Sequence, residues 1–256
     1  FSTGGYMSLP LILAGKFLNL KIYLLEPNLV LGKANKFFLS SCEKIFCYSK
    51  QIKNFPKKYK NKKVIINPLV SNEFYKTKTR KIDNDKFNLL IVGGSQGANI
   101  FDKNLKKTIL NISKKFSIKV IQQTHLNNVP SLKEFYSKNN IESEIFNYDK
   151  NFEKKVAASN ICITRAGATT LAELSVLNTP FIAVPLPNSK DNHQFENANF
   201  YFKKDCCWIL EQKFFDEKIE QLIEEILQNK SNLNRKKENL RNLNFQNTWI
   251  NVNQKI

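Results

Sequence analysis

The chain has 256 residues, with 40 Lys and Arg against 22 Asp and Glu, a formal net charge of +18. At about 150 residues per domain this length predicts one or two domains. A content of 42% hydrophobic residues, 20 Phe among them, supports a real core and excludes wholesale disorder, while 8 Gly and 8 Pro exclude collagen-like and mucin-like chains.

Apolar runs alternate with amphipathic stretches throughout, the pattern of βα units. Gly4-Gly5 precedes a predicted helix over 7–17, a strand over 21–25 and the turn Glu26-Pro27-Asn28. The apolar run over 9–25 is broken by Lys16, Asn19 and Lys21, so it falls short of the ~20 apolar residues a spanning helix needs. A helix over 33–40, a strand over 44–48 and a short strand over 63–66 follow. The pattern breaks at Asn67-Pro68, and 71–86 is polar, charged and aperiodic, which predicts a domain boundary.

Beyond it the expected strands are 87–92, 118–122, 144–148, 161–164, 181–185 and 208–210. The helices between and after them are 98–113, 131–139, 152–159, 168–177, 193–203, 216–228 and 233–243. This reads as a full doubly wound α/β domain preceded by about half of another. The chain starts at Phe1, and its one Met, Met7, already lies in an element, so the sequence reads as a fragment in which no signal peptide can be judged.

Five Cys, at 42, 47, 162, 206 and 207, form no CxxC and no partnered Cys/His spacing. That speaks against structural zinc or a disulfide framework and for a reducing compartment. The positive charge has two readings, solvated surface lysines or attraction to an anionic phospholipid or nucleic-acid surface. No RNP motif, zinc finger or aromatic-basic stripe supports the nucleic-acid version, and no nucleic-acid partner is expected.

Three segments carry chemistry. The loop Gly93-Gly94-Ser95-Gln96-Gly97-Ala98 lies between an apolar strand and an amphipathic helix, where glycines admit a phosphate to the helix's free N–H groups; a tight βα turn is the bland alternative. It is not GxGxxG, and the next strand ends in Gln122-Gln123 without an acid for a dinucleotide ribose, which disfavours NAD. The run Thr164 to Glu173 again opens a helix at a strand end. Thr169 and Glu173 share a polar face there, and Glu173 can accept from a ribose diol or simply be a solvated acid. The third segment, Val184 to Ala198, sets His193, Gln194 and Asn197 on a helix after a Pro-rich loop, with Asp191 or Asn192 as a possible cap. His193 has no Ser–His–Asp or Cys–His pairing at a recognisable spacing.

In order, Gly4-Gly5-Tyr6-Met7-Ser8-Leu9-Pro10, Glu26-Pro27-Asn28, Asn67-Pro68, the GGSQGA loop, RAGATTLAE and DNHQFENA resemble the MurG family of UDP-N-acetylglucosamine:undecaprenyl-pyrophosphoryl-muramoyl-pentapeptide N-acetylglucosaminyltransferases. The likeness runs from about residue 3 to the end and is strongest over 87–200. It implies a GT-B fold of two Rossmann-like doubly wound domains. Residues 1–75 would be the C-terminal half of the acceptor- and membrane-side domain, 76–232 the donor-binding domain, and 233–256 a helix and tail packing back toward the first.

The resemblance implies inverting transfer of N-acetylglucosamine from UDP-GlcNAc to the lipid-linked muramoyl-pentapeptide, a hexosyltransferase step in peptidoglycan synthesis, cell-wall biogenesis, cell shape and division. It implies a peripheral enzyme on the cytoplasmic face of the inner membrane, with anionic phospholipid as a partner and neither metal nor cofactor. Carried over by position, Ser95 contacts the diphosphate with the phosphate loop Gly93, Gly94 and Gly97. Ala168, Thr169, Thr170, Leu171, Ala172 and Glu173 line the nucleoside, Glu173 on the ribose. Gln194 reaches the sugar, Asn28 faces the cleft from the first domain, and Asp149 contacts uracil through its backbone.

There are departures from the pattern. The family's first Gly-rich loop, with its proposed His base, would precede Phe1 along with roughly a hundred residues, most of one nucleotide-fold domain. No catalytic residue is therefore assigned within the chain. Val70 stands where the family has a diphosphate-contacting Arg, and Asn178 stands where it usually has Gly. The alternatives are another GT-B UDP-sugar transferase, a donor-binding but inactive fragment, or a charge-driven nucleic-acid module.

Overall fold

The computed structural model describes residues 1–78 and 86–246, apart from the side chains of Tyr6 and 94–98. The first half runs α1 (Leu9–Phe17), β1 (Tyr23–Glu26), α2 (Lys33–Phe38), β2 (Lys44–Cys47) and β3 (Lys63–Ile65). Its strands form a parallel sheet in the order β1-β2-β3. Ser2 adds to the other edge of β1, its N–H donating to the Tyr23 carbonyl while Leu25 N–H donates to its own. Strand period 2 splits the residues between two faces: Leu24, Ile45 and Cys47 pack with Ile12, Phe38 and Leu39, whereas Leu25 and Phe46 pack with Ile66. Helix α1 buries little beyond Ile12; Leu11 and Phe17 are 76% and 86% exposed.

The second half contains β4 (Phe87–Val92), α4 (Gly94–Ser113), β5 (Ile118–Gln123), α5 (Val129–Lys138), β6 (Glu142–Phe146), α6 (Phe152–Ala157), β7 (Ile161–Thr164), α7 (Ala168–Val176), β8 (Phe181–Ala183), α8 (His193–Phe202), β9 (Cys207–Ile209), α9 (Phe215–Gln228) and α10 (Lys230–Asn242). The six strands are parallel in the order β6-β5-β4-β7-β8-β9, which reverses direction between β4 and β7. Alternation again divides the core. Leu89, Ile91, Ile161 and Ile163 face α4, α5 and α9, and Phe101, Leu105, Ile109 and Ile112 recur on α4 at helical spacing. Leu90, Val92, Cys162 and Phe181 face the opposite layer of α6, α7, α8 and α10.

Two departures from the sequence reading concern short or glycine-rich pieces. The aperiodic stretch after Ser71 contains a further helix, α3 (Asn72–Lys76), whose first turn is capped by Ser71 Oγ accepting from Glu73 N–H. Phe74 on α3 and Val70 before it are both buried in the core of the second half. Helix α4 starts at Gly94, four residues ahead of the expected 98, so the glycine loop forms its first turn. Beyond α10 the chain turns back: Leu243 and Phe245 pack on the α7–α8 layer, and the Gln246 carbonyl accepts from Tyr75 OH at 3.4 Å.

All five cysteines are free and buried, and burial pushes the Cys47 thiol up to about 12. Among the described residues no helix is long and apolar enough to cross a membrane.

Candidate functional site

The reversal between β4 and β7 defines where a ligand fits. Chain leaving β4 goes to the α4 layer and chain leaving β7 goes to the α7 layer, which opens a crevice at the strands' carboxyl ends. Gly93 ends β4 with φ −86°, and the N-terminal N–H groups and positive dipole end of the 20-residue α4 face that crevice. Gly94, Ser95 and Gly97 lie in the first turn; the Ser95 side chain lies outside the described residues. Behind the turn, Asp102 accepts from Gln122 Nε2 at 2.7 Å and Asn128 Nδ2 at 2.9 Å, and Tyr136 OH donates to Gln122 Oε1 at 2.7 Å. Gln122 is thereby committed to the core and offers nothing to a ligand.

On the opposite lip, Gly167 is extended and α7 begins at Ala168. Helical period turns Leu171 and Ala172 inward, where both side chains are buried in the core. Their side chains are therefore not available to a ligand in the crevice. Ala168, Thr169, Thr170 and Glu173 keep accessible side chains. The Glu173 carboxyl has no partner among the described residues, and desolvation by burial raises its pKa to about 7. A carboxyl held short of water and partners is poised for a ligand that brings hydroxyl donors.

Helix α8 ties the two halves to this lip. Gln194 Oε1 accepts from Ala166 N–H at 3.2 Å and Leu186 N–H at 3.0 Å, clamping the loops after β7 and β8. Its Nε2 has no partner among the described residues. Asn197, 1% exposed, donates from Nδ2 to Asn28 Oδ1 at 3.1 Å and to the Ala166 carbonyl at 3.2 Å, while its Oδ1 accepts from Leu29 N–H at 3.0 Å. Asn28 is thus brought from the first half onto the second, facing the cleft. Arg165 is buried without a carboxylate partner among the described residues: Nη1 donates to the Val184 carbonyl at 3.1 Å and Nη2 to Gln212 Oε1 at 2.7 Å, and Nε has no partner among them.

Two roles of the Gln194 carboxamide separate by mutation. Gln194→Glu keeps an acceptor for both backbone N–H groups and removes the Nε2 donor. It is expected to melt within a few degrees of wild type yet weaken the hold on any ligand that accepts from Nε2. Gln194→Leu leaves both N–H groups unpaired, with an expected loss of about 2–3 kcal/mol in denaturant unfolding.

A cavity of about 180 Å³ opens between the halves, walled by Gly5, Glu26, Asn28 and Gly32 on one side and Lys190, Asp191 and His193 on the other. Glu26, 2% exposed, accepts from Asn28 N–H and Nδ2, Gly32 N–H at 2.8 Å and Asn35 Nδ2 at 3.0 Å. Gly4, at φ +78°, lies so close to Asn35 that an added Cβ would meet its Oδ1 at 2.7 Å.

The remaining expected positions divide. Asp149 follows β6 at the crevice rim; its carboxylate, bonded to Lys155 at 2.8 Å, titrates below the usual range because Lys155 and Asn151 N–H bond to it. Val70 is 3% exposed and packed in the core of the second half, so its own side chain offers nothing to a diphosphate. Neither Asp191 nor Asn192 caps α8 through its side chain. Both have left-handed backbone, φ +51° and +55°, whereas a side-chain cap needs an extended one. Asn178 takes the same left-handed conformation at φ +54°, which its short polar side chain tolerates. Among the described residues no group of three His, Cys, Asp or Glu side chains comes together to hold a metal.

The model of the glycosyltransferase family 28 C-terminal domain matches residues 88–250. The UDP-N-acetylglucosamine–N-acetylmuramyl-(pentapeptide) pyrophosphoryl-undecaprenol N-acetylglucosamine transferase of Pelagibacter ubique is 50% identical over all of this chain and 72% of its own length. The chain belongs to the MurG family. The corresponding Rickettsia felis transferase is 34% identical, with 88% of this chain matched to 65% of that one. Acinetobacter baumannii MurG superposes with a TM-score of 0.79 at 22% identity, over 100% of this chain and 74% of that structure. A Neisseria meningitidis UDP-GlcNAc 2-epimerase bound to UDP-GlcNAc shares the fold at a TM-score of 0.64 and 15% identity, over 96% of this chain and 70% of that structure. The fold is GT-B, with the MurG glycosyltransferase architecture over the whole chain.

The burial of Glu26, Asn35 and Arg165 and the bridging role of Asn197 have no counterpart in the sequence reading. Arg165 and Asn197 are buried by partners far along the chain, whereas Glu26 and Asn35 are held in a local network by neighbours within ten positions. Glu26 and Arg165 stand in sequence motifs that carry no sign of their burial.

Proposed function

We propose that this chain carries the donor half, and part of the acceptor half, of an inverting transferase. The enzyme moves N-acetylglucosamine from UDP-GlcNAc to undecaprenyl-pyrophosphoryl-muramoyl-pentapeptide in peptidoglycan synthesis. The observation that carries this reading is the unpartnered Glu173 carboxyl on the crevice lip opposite the N-terminus of α4. A nucleoside diphosphate matches that pair: ribose hydroxyls donate to Glu173, and the diphosphate sits against the α4 N–H groups and dipole. The acceptor hydroxyl then attacks the anomeric carbon, and those same N–H groups stabilise the charge that builds on departing UDP. Gln194 orients the sugar, and Asn197 holds the acceptor half in register with it.

The exposed apolar face of α1, with Lys16, Lys21, Lys33 and Lys36 near it in sequence, suits contact with an anionic leaflet, where a lipid-linked acceptor resides. The test is calorimetric titration of the folded chain with UDP-GlcNAc and UDP-glucose, followed by transfer to lipid-linked acceptor in the full-length polypeptide. UDP-GlcNAc is expected to bind more tightly than UDP-glucose. Absence of UDP-GlcNAc binding to folded protein sinks the reading.

A further inference from the structure

Among the described residues Arg165 and Lys236 are the buried cations, and only Lys236 has an acid beside it. Lys236, 4% exposed, pairs with Asp205 at 2.5 Å. Arg165, 9% exposed, bonds uncharged acceptors alone: the Val184 carbonyl and Gln212 Oε1, with the Pro185 carbonyl further off at 3.5 Å. Its Nε is buried too and has no partner among the described residues. The guanidinium carbon lies 5.5 Å from the Phe101 ring centroid, a contact that offsets part of the burial cost. Desolvation lowers the Arg165 pKa, the direction expected of a cation short of compensating charge. A charge taken out of water is costly unless an opposite one stands near it. The acids flanking Gln212 do not fill that role: Glu211 and Asp216 are exposed and bonded to Lys213 and Asn104.

The fold puts this cation beside the donor crevice. Thr164, the last residue of β7, is in register with Val92, the last of β4. Arg165 therefore leaves the sheet level with Gly93, about 5 Å away across one strand spacing. Phe101 lies about two turns into α4 and its side chain leans back toward the helix start. The guanidinium against its ring is thus roughly 10 Å from the N-terminus of α4. The first turn of α4 carries no acid, and the dipole of this 20-residue helix makes that end positive. Arg165 adds a full positive charge to a place already positive. The unpaired cation and the helix end belong to different elements, and both are relieved by the same negative ligand.

We propose that Arg165 is the buried countercharge of the donor's diphosphate. The inference rests on the transferase reading above and adds a residue that selects ligands by their charge. Arg165 acts through space, from behind the crevice, and is a positioning residue. At 9% exposure its charge is screened far less than that of a surface lysine. Its pull therefore grows with the number of phosphates on the ligand and leaves the base and ribose untouched. The same field favours the departing UDP as negative charge gathers on it.

The deciding variant is Arg165→Gln, which keeps an amide donor for the Val184 carbonyl and carries no charge. Affinities for uridine, UMP and UDP are measured on the folded chain, UMP and UDP by calorimetry and uridine by displacement of UMP. The Kd is expected to rise about tenfold for UDP and about threefold for UMP, with that for uridine unchanged. A merely structural role moves all three alike, because a displaced loop disturbs the nucleoside as much as its phosphates. Arg165→Lys restores the charge with fewer donors and is expected to recover most of the UDP affinity. Arg165→Met is the second neutral variant, read in the same way if Arg165→Gln does not fold. Equal weakening of all three ligands, UDP affinity within twofold of wild type in a neutral variant, or a Lys variant no better than the neutral one overturns the proposal alone. Wild-type protein that binds none of the three overturns the donor-site reading and this proposal together.

Discussion

Glu173→Gln is expected to weaken UDP binding by about 2 kcal/mol, roughly 30-fold in Kd, while making the unliganded protein more stable at pH 8. Both effects have one cause. Burial without a partner raises the Glu173 carboxyl from 4.5 to about 7, so the folded state binds its proton more tightly than the unfolded state does. Unfolding free energy therefore falls as pH rises from about 4.5 to about 7 and stays low above that, by at most about 3 kcal/mol. Glutamine has no charge to desolvate and escapes the loss. Denaturant unfolding at pH 5 and pH 8 should give similar stabilities for the two proteins at the lower pH and a gap at the higher.

Ribose hydroxyls reverse the balance by donating to the ionised form. UDP affinity is then expected to rise with pH through about 7, with release of up to one proton below it, and the Gln variant to show neither. Stability curves that run parallel from pH 5 to pH 8 contradict this account.

Which parts of this site were legible in sequence follows from the range of the forces involved. Strands over 87–92 and 161–164 coincide with β4 and β7 because buried parallel strands are continuous apolar runs. The crevice is local too, since each lip is a strand end running straight into its helix. Helix α3 escaped notice because five residues cannot display a helical period, and its burial depends on Phe74 reaching a core formed mainly by later residues. The first turn of α4 was read as loop because glycine is a poor helix former.

Asn197 illustrates the harder case. On α8 it looks like one more polar residue of a solvated face in an Asn-rich chain, yet it is buried against Leu29, 168 positions away. Arg165 likewise cannot be told from the chain's many surface cations until Val184 and Gln212 surround it.

Removing the Asn197 side chain should therefore cost far more than its place on an amphipathic helix suggests. Asn197→Ala deletes three hydrogen bonds, two of them to the first half, and strands the Leu29 N–H, Asn28 Oδ1 and the Ala166 carbonyl. At about 1 kcal/mol or more for each stranded group, the expected loss is about 3 kcal/mol, or roughly 6–12 °C in Tm for a chain of this size. The adjacent bridge between halves supplies the contrast. Lys53 and Glu196 pair at 2.7 Å, but the Lys53 side chain is 60% exposed, so Glu196→Gln should change stability by less than about 1 kcal/mol.

Because Asn197 joins two separately cored halves, its loss should also separate their unfolding, turning one calorimetric transition into two. Donor affinity should fall along with it, since the Ala166 carbonyl lies in the loop that opens α7. If Asn197→Ala melts in a single transition within 2 °C of wild type, the halves are held together by their apolar contacts instead. In that case Asn28 reaches the cleft without the buried amide to guide it.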